Sequence, residues 1–292
     1  MPVEGWSLAA SVEQFGWAGA VEQRDGETRY CLGFTDEDGL PFAVSITPDE
    51  DGVRVRSDVE LSRSATFQIA RMLSIAWPAD DDGFPAIGQR DPAVEALQAR
   101  YPGVRPIGSP SVFEAAVRVV VAVGLPERLA GVVWRRVADS LGVSVGVEGA
   151  QLHAFPTPDR LLDPDALGGL RGMNGARPLI QWKRARIAAL AQAAVDGELD
   201  GATLRGWDGR LAVEHVTRVA ALEASAAELV VVRGAHHPDV LLAHVPQVTG
   251  YLERAYRLRP GDGDGAAAIA RVWAPYRSWV SALMLCAAQD AG

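Results

Sequence analysis

The sequence predicts an α+β protein: a small N-terminal antiparallel sheet-and-helix domain over residues 1–107, then a mostly α-helical domain over residues 108–292. Three observations predict it. Short β-rich runs separated by DG turns fill the opening part of the chain. Apolar residues then pass from alternation to helical spacing. From residue 91 onward, capping side chains repeatedly precede a proline, as they do at helix starts.

Taken in order, WSLAASV, TRYCLGF, PFAVSIT and GVRVRSD read as strands. ATFQIARMLSIAW follows with Phe67, Ala70, Leu73 and Ala76 at helical spacing, which predicts a helix packed on the sheet. ADDDGFP, residues 79–85, reads as a polar loop. Asp91-Pro92, Ser109-Pro110, Thr157-Pro158 and Asp163-Pro164 are helix-start signals, with Ser111 and Glu114 as an alternative capping box. Helices are expected over 92–101, 111–123, 127–141, 158–162, 183–196, 211–220, 225–233, 247–258 and 265–287, the last interrupted at Pro275. Ile187, Leu190, Ala191 and Ala194 mark one apolar stripe. GDGDG at 261–265 reads as a turn and lacks the downstream glutamate of a calcium loop.

Composition narrows the function. Hydrophobic content of 48% with 22% charged residues is that of a globular protein. Two distant cysteines, Cys31 and Cys286, suggest neither a disulfide framework nor a cysteine zinc site, and a reducing cytoplasm is the expected compartment. The N-terminus lacks the signature of a signal peptide. No stretch approaches the roughly 20 apolar residues of a membrane span. The net charge of −9 falls entirely on residues 1–107, with 9 basic against 18 acidic residues; residues 108–292 balance at 19 against 19. That lowers the expectation of a nucleic-acid partner, which usually demands a basic face. The only lysine is Lys183. A phosphate loop, a nucleophile elbow and an HExxH pattern are absent, and GGLRG at 168–172 does not follow a strand. No cofactor is indicated.

SPSVFEAAVRVVVAVGLPERLAGVVWRRVADSLG, then HAFPTPDRLL, QWKRARIAALAQAAVDGELD, AAELVVVRGAHHPDVLL and VWAPYRSWVSALML occur in an order that resembles the helix-hairpin-helix DNA glycosylases, the 3-methyladenine DNA glycosylase II type in particular. The resemblance covers nearly the whole chain. It implies damaged DNA as partner and base excision repair as activity, by cleavage of an N-glycosidic bond.

The residues that would carry that activity differ. The family's hairpin reads roughly G-I-G-P-W-T-A, its glycines letting the backbone approach a phosphate at a helix start. An ungapped count back from Arg233-Gly234 places Ala221, Leu222, Glu223, Ala224, Ser225, Ala226 and Ala227 there. Glu223 would repel a nearby phosphate by on the order of a kcal/mol. The same residues also suit an ordinary helix connection with Glu223 in water. The family's catalytic aspartate, which stabilises an oxocarbenium-like cation, falls on Val245. The polar element after the first core helix becomes Ala122-Val123-Gly124-Leu125-Pro126.

Two readings therefore stand: a divergent glycosylase without ordinary aspartate chemistry, or a frame repurposed, either to bind or transform a small aromatic metabolite, as in biosynthesis or self-resistance, or as a non-catalytic binding protein. The resemblance places Ser225, Leu229, Val245, Tyr276 and Trp279 around the former base pocket, where aromatic rings could hold a planar ligand. His236, His237 and His244 surround Asp239. His244 with Asp239 is the candidate acid–base pair; a metal is not indicated, and helix capping is the alternative for His236 and His237. Lys183 is not placed as a lyase nucleophile, since the hairpin position holds Ser225. Arg254, Arg257 and Arg259 could meet phosphate or simply face water.

Overall fold

The computed structural model describes residues 7–15, 20–24, 27–49, 52–76, 83–168 and 179–290. Most of GGLRG and the aspartates of ADDDGFP lie outside them.

Four strands, β1 (Ala20–Arg24), β2 (Glu27–Thr35), β3 (Pro41–Asp49) and β4 (Gly52–Arg56), form an antiparallel meander in sequence order. The three later β-rich runs of the sequence become β2, β3 and β4. The first does not: Leu8–Phe15 is a helix, α1. Leu8, Val12 and Phe15 are buried together at helical spacing, and the Ser7 hydroxyl accepts the Ala10 N–H at the helix start. Phe15 lies just beyond the run that looked β-rich, and it reveals the period.

Helix α2 (Arg63–Met72) covers the sheet, capped by Ser62 and burying Ala65, Gln68, Ile69, Ala70 and Met72. Phe67 does not pack on the sheet with Ala70 as its spacing predicts. It sits on the opposite face, 51% exposed, under the Arg63 guanidinium. Helix α3 (Gly83–Arg90) begins within the expected loop, and α4 (Pro92–Arg100) follows with Asp91 as its cap. The buried Asp91 carboxylate also accepts from Tyr256 and Trp273, tying α4 to the C-terminal helices.

Helix α5 (Val112–Ala122) is the central element and is buried almost all round. Its cap is Ser111, accepting from the Glu114 N–H, so the capping-box position is used and Ser109-Pro110 is not. Helix α6 (Glu127–Leu141) runs into a two-stranded hairpin, β5 (Val143–Val147) and β6 (Ala150–Ala154), unforeseen from the sequence. That hairpin packs on β2 and β3, with Arg29 bonded to Glu148 at 2.9 Å. Trp134 of α6 stacks on Phe155 with centroids 3.9 Å apart.

After a 3-10 turn at Pro158–Leu161, where an α-helix was expected, come α7 (Gln181–Val195), the unforeseen short α8 (Gly201–Gly206), α9 (Gly209–Ala220) and α10 (Ala224–Gly234). Asp163 caps a turn rather than a helix. Helices α11 (Pro246–Tyr256), α12 (Gly263–Ile269) and α13 (Arg277–Gln289) complete the chain. Asp262 of the GDGDG run caps α12. The expected last helix is divided by a second 3-10 turn, Ala270–Trp273, and by Pro275. Helix α10 crosses α5 at Gly234, where an added Cβ would lie 2.6 Å from the Val112 Cα. Among the described residues no helix is long and apolar enough to cross a membrane.

Candidate active site

Helices α9 and α10 form a tight helix–hairpin–helix. Helix α9 starts on Asp208, whose carboxylate accepts from Arg210 and Leu211 N–H groups, and ends at Ala221 with φ 46° and ψ 48°. Left-handed backbone suits glycine because an L side chain crowds the following carbonyl. Ala221 thus keeps a glycine conformation with an alanine side chain. Arg186 holds the Ala220 carbonyl at 3.1 Å, and half-buried Leu222 anchors the turn. Glu223 takes the N-cap position of α10 in extended conformation, exposed and with no side-chain cap bond. The free N–H groups of α10 consequently open beside a carboxylate.

At its other end α10 stops on His236, φ 55°. The three histidines do not form a cluster. His236 is buried with Nε2 2.9 Å from the Ser109 carbonyl; burial, aided by the Arg205 guanidinium, pushes its pKa down to about 3. It is therefore neutral at physiological pH. His237 Nε2 donates to the Trp207 carbonyl at 3.0 Å, while Nδ1 accepts the Asp239 N–H at 3.1 Å. Both histidines act as cross-braces.

Asp239 is not the partner of His244. Its carboxylate grips Arg277 in a two-pronged pair, 2.7 Å to Nε and 2.7 Å to Nη2, and this raises the Arg277 pKa. Bidentate geometry of this kind is strong and directional. Ser278 and Ser281 add further stitches, their hydroxyls accepting the Val240 and Leu242 N–H groups at 2.9 and 3.3 Å. The segment between α10 and α11 is locked onto the first turns of α13.

What His244 meets instead is Glu228, in the second turn of α10. His244 Nδ1 lies 2.6 Å from Glu228 Oε1, and the His244 backbone N–H donates to Oε2 at 3.0 Å. The Glu228 side chain is 4% exposed and that of His244 64%. Burial raises the Glu228 pKa, against the lowering effect of the His244 bonds. With the carboxylate ionised, the bonding assigns the ring proton to Nδ1 and leaves Nε2 as a free lone pair on the solvent side. A buried carboxylate orienting an accessible imidazole is a general-base arrangement. The sequence carried one sign of it: a lone acid inside the apolar run ASAAELVVV.

Val245 follows directly. It is buried, stands at the N-cap of α11 before Pro246, and offers no side-chain bond to that helix start. Ser225 and Leu229 are half-buried on α10. Tyr276 and Trp279 are buried with centroids 5.2 Å apart; Phe84 of α3 packs on both, and Arg105 lies over Trp279. Trp273 is core. Lys183 Nζ, its pKa lowered by burial, donates to the Val121 and Val123 carbonyls at 2.7 and 2.6 Å and so closes the end of α5. Arg254, Arg257 and Arg259 are exposed. Among the described residues no group of three or more His, Cys, Asp or Glu side chains is placed to hold a metal ion.

Comparison with solved structures relates this geometry to known proteins. The 3-methyladenine DNA glycosylase of Archaeoglobus fulgidus superposes with a TM-score of 0.78 over 100% of this chain and 98% of its own, at 19% identity. This is the helix-hairpin-helix DNA glycosylase fold. An 8-oxoguanine glycosylase/lyase of Clostridium acetobutylicum, solved with double-stranded DNA, shares that glycosylase fold with a TM-score of 0.71, 12% identity and coverage of 98% and 93%. The DNA-3-methyladenine glycosidase of Bacillus halodurans matches at 0.55, 20% identity and coverage of 73% and 91%. No protein-family model and no curated relative matches the sequence.

Proposed function

We propose that the chain is a divergent 3-methyladenine-DNA-glycosylase-like protein in which His244, oriented by Glu228, replaces ordinary aspartate chemistry. The observation that carries the proposal is the 2.6 Å Glu228–His244 bond immediately before Val245, the position counted as that of the family's aspartate. In this reading His244 Nε2 takes a proton from water. The water oxygen bonds to C1′ of the deoxynucleotide, and the C1′–N bond breaks with its electron pair leaving on the base. A cationic alkylated purine departs neutral, so the lost electrostatic support of a carboxylate is partly offset. Glu228 is a positioning residue.

The test is release of free base from methylated duplex DNA. Release above the spontaneous rate is expected, reduced at least tenfold in His244→Ala and restored in part by Val245→Asp. Release at the spontaneous rate from folded wild-type protein overturns the proposal.

A second reading, in which the former base pocket serves a small aromatic ligand and DNA is not bound, is favoured by exposed Glu223 at the hairpin and by the net charge of −9. Gel shifts on methylated and undamaged duplex at low salt separate the two. A glycosylase frame still on DNA shows affinity that falls with salt, whereas no shift with either duplex supports the second reading.

A further inference from the structure

At the far end of α10 from the hairpin, about 15 Å along the helix axis, lies a cleft of about 440 Å³ between the sheet, α2, the start of α5, the Phe155–Asp159 turn and α8. That volume falls among small-molecule sites. Its charged lining is mostly acidic.

Several of its donors are already engaged. Gln68 uses its amide nitrogen on the Thr35 and Pro110 carbonyls, at 3.2 and 2.8 Å. Arg205 donates to the Ala235 carbonyl, and His236 gives its Nε2 proton to Ser109. Acceptors remain unused. Gln68 Oε1 is buried with no partner, and a flipped amide would set it against two carbonyl oxygens. The Thr35 hydroxyl, which can accept or donate, is also buried without a partner. Among the described residues the Glu114 carboxyl, buried on α5, meets no hydrogen-bond donor. A buried acceptor left unmade costs about 1–3 kcal/mol, so such groups normally mark a missing partner. Phe113 and Phe155 also line the cleft, and aromatic faces attract cations.

We propose that this cleft binds a small organic cation, an amidine, guanidine or amine, which delivers N–H donors to Gln68, Thr35 and Glu114 while its apolar part lies on Phe113 and Phe155. The inference is independent of the excision chemistry at His244. The other charged groups lining the cleft favour the same sign: Asp36 and Glu37 from the turn after β2, Asp159 from the 3-10 turn and Asp200 at the cap of α8, against Arg205, with His236 neutral. Burial raises the Glu114 pKa to about 8, so a bound cation makes it release a proton at neutral pH.

Calorimetric titration with benzamidine, its neutral analogue benzamide and the anion benzoate tests the proposal. Benzamidine should bind saturably and at least tenfold more tightly than benzamide, with benzoate silent. Its enthalpy should depend on the buffer, which reports proton release. Glu114→Gln should weaken benzamidine at least tenfold and remove the buffer dependence; Gln68→Met should also weaken it. Because either substitution can impair folding, hydrogen exchange on the wild-type protein supplies a second measurement, with benzamidine protecting residues 108–114 and 155–159. Equal affinity for benzamidine and benzamide, undiminished binding in both folded variants, or protection elsewhere overturns the proposal.

Discussion

Glu114→Gln should change how stability depends on pH. The wild-type carboxyl is buried in α5 without a donor, and burial lifts its pKa from an ordinary 4.5 to about 8. The folded protein therefore holds a proton that the unfolded chain has already released between those two values. Stability from this group is complete below about pH 4.5, falls by about 1.4 kcal/mol per pH unit within the window, and is lost by about pH 8. The full span, at that slope, sets a ceiling of about 5 kcal/mol, a large part of the 5–15 kcal/mol typical of a domain. Glutamine keeps the shape of the protonated acid but cannot ionise. Urea unfolding of both proteins at pH 5.5, 6.5 and 7.5, without added ligand, gives the difference directly. The wild type should lose stability relative to the variant at each step. Parallel pH profiles would refute the reasoning, because they would mean that Glu114 ionises as freely in the fold as in water.

Ala221→Gly removes the crowding of a left-handed alanine, about 1–2 kcal/mol, less the entropy cost of glycine, and should stabilise the protein by about 0.5–1 kcal/mol in equilibrium unfolding; an unchanged or lowered midpoint counts against the hairpin geometry. Gly234→Ala should destabilise by about 1–3 kcal/mol, since the new methyl meets the Val112 backbone and the two helices must part. Thermal melting gives that answer, and an unchanged melt would mean that α5 and α10 pack less closely. Asp239→Asn breaks a two-pronged charged pair and should cost about 1–3 kcal/mol. Base release per folded molecule should stay near wild type; a loss matching that of His244→Ala would return Asp239 to the chemistry.

Much of the architecture was legible because its signals are local. Asp91 before Pro92, Ser111 three residues before Glu114 and the apolar stripe through Ile187 each act within one or two helical turns, and each helix forms where they stand. The β5–β6 hairpin was not legible, because VSVGVEGAQLHA is too short to be separated from the end of α6 until its docking on the sheet is known. Helix α1 escaped for a similar reason: its period shows only with Phe15 included.

The chain order of residues was enough to establish the helix-rich frame, since its signals depend on local spacing. Only the folded arrangement decided which acid His244 meets. Asp239 is five residues away but is turned onto Arg277, while Glu228, sixteen residues earlier, is brought alongside as the chain reverses after α10 at His236. Nor could any linear reading show that Gln68 Oε1 is left without a partner beside the cleft, because hydrogen-bond partners are set by distance in space, and sequence separation places no bound on that.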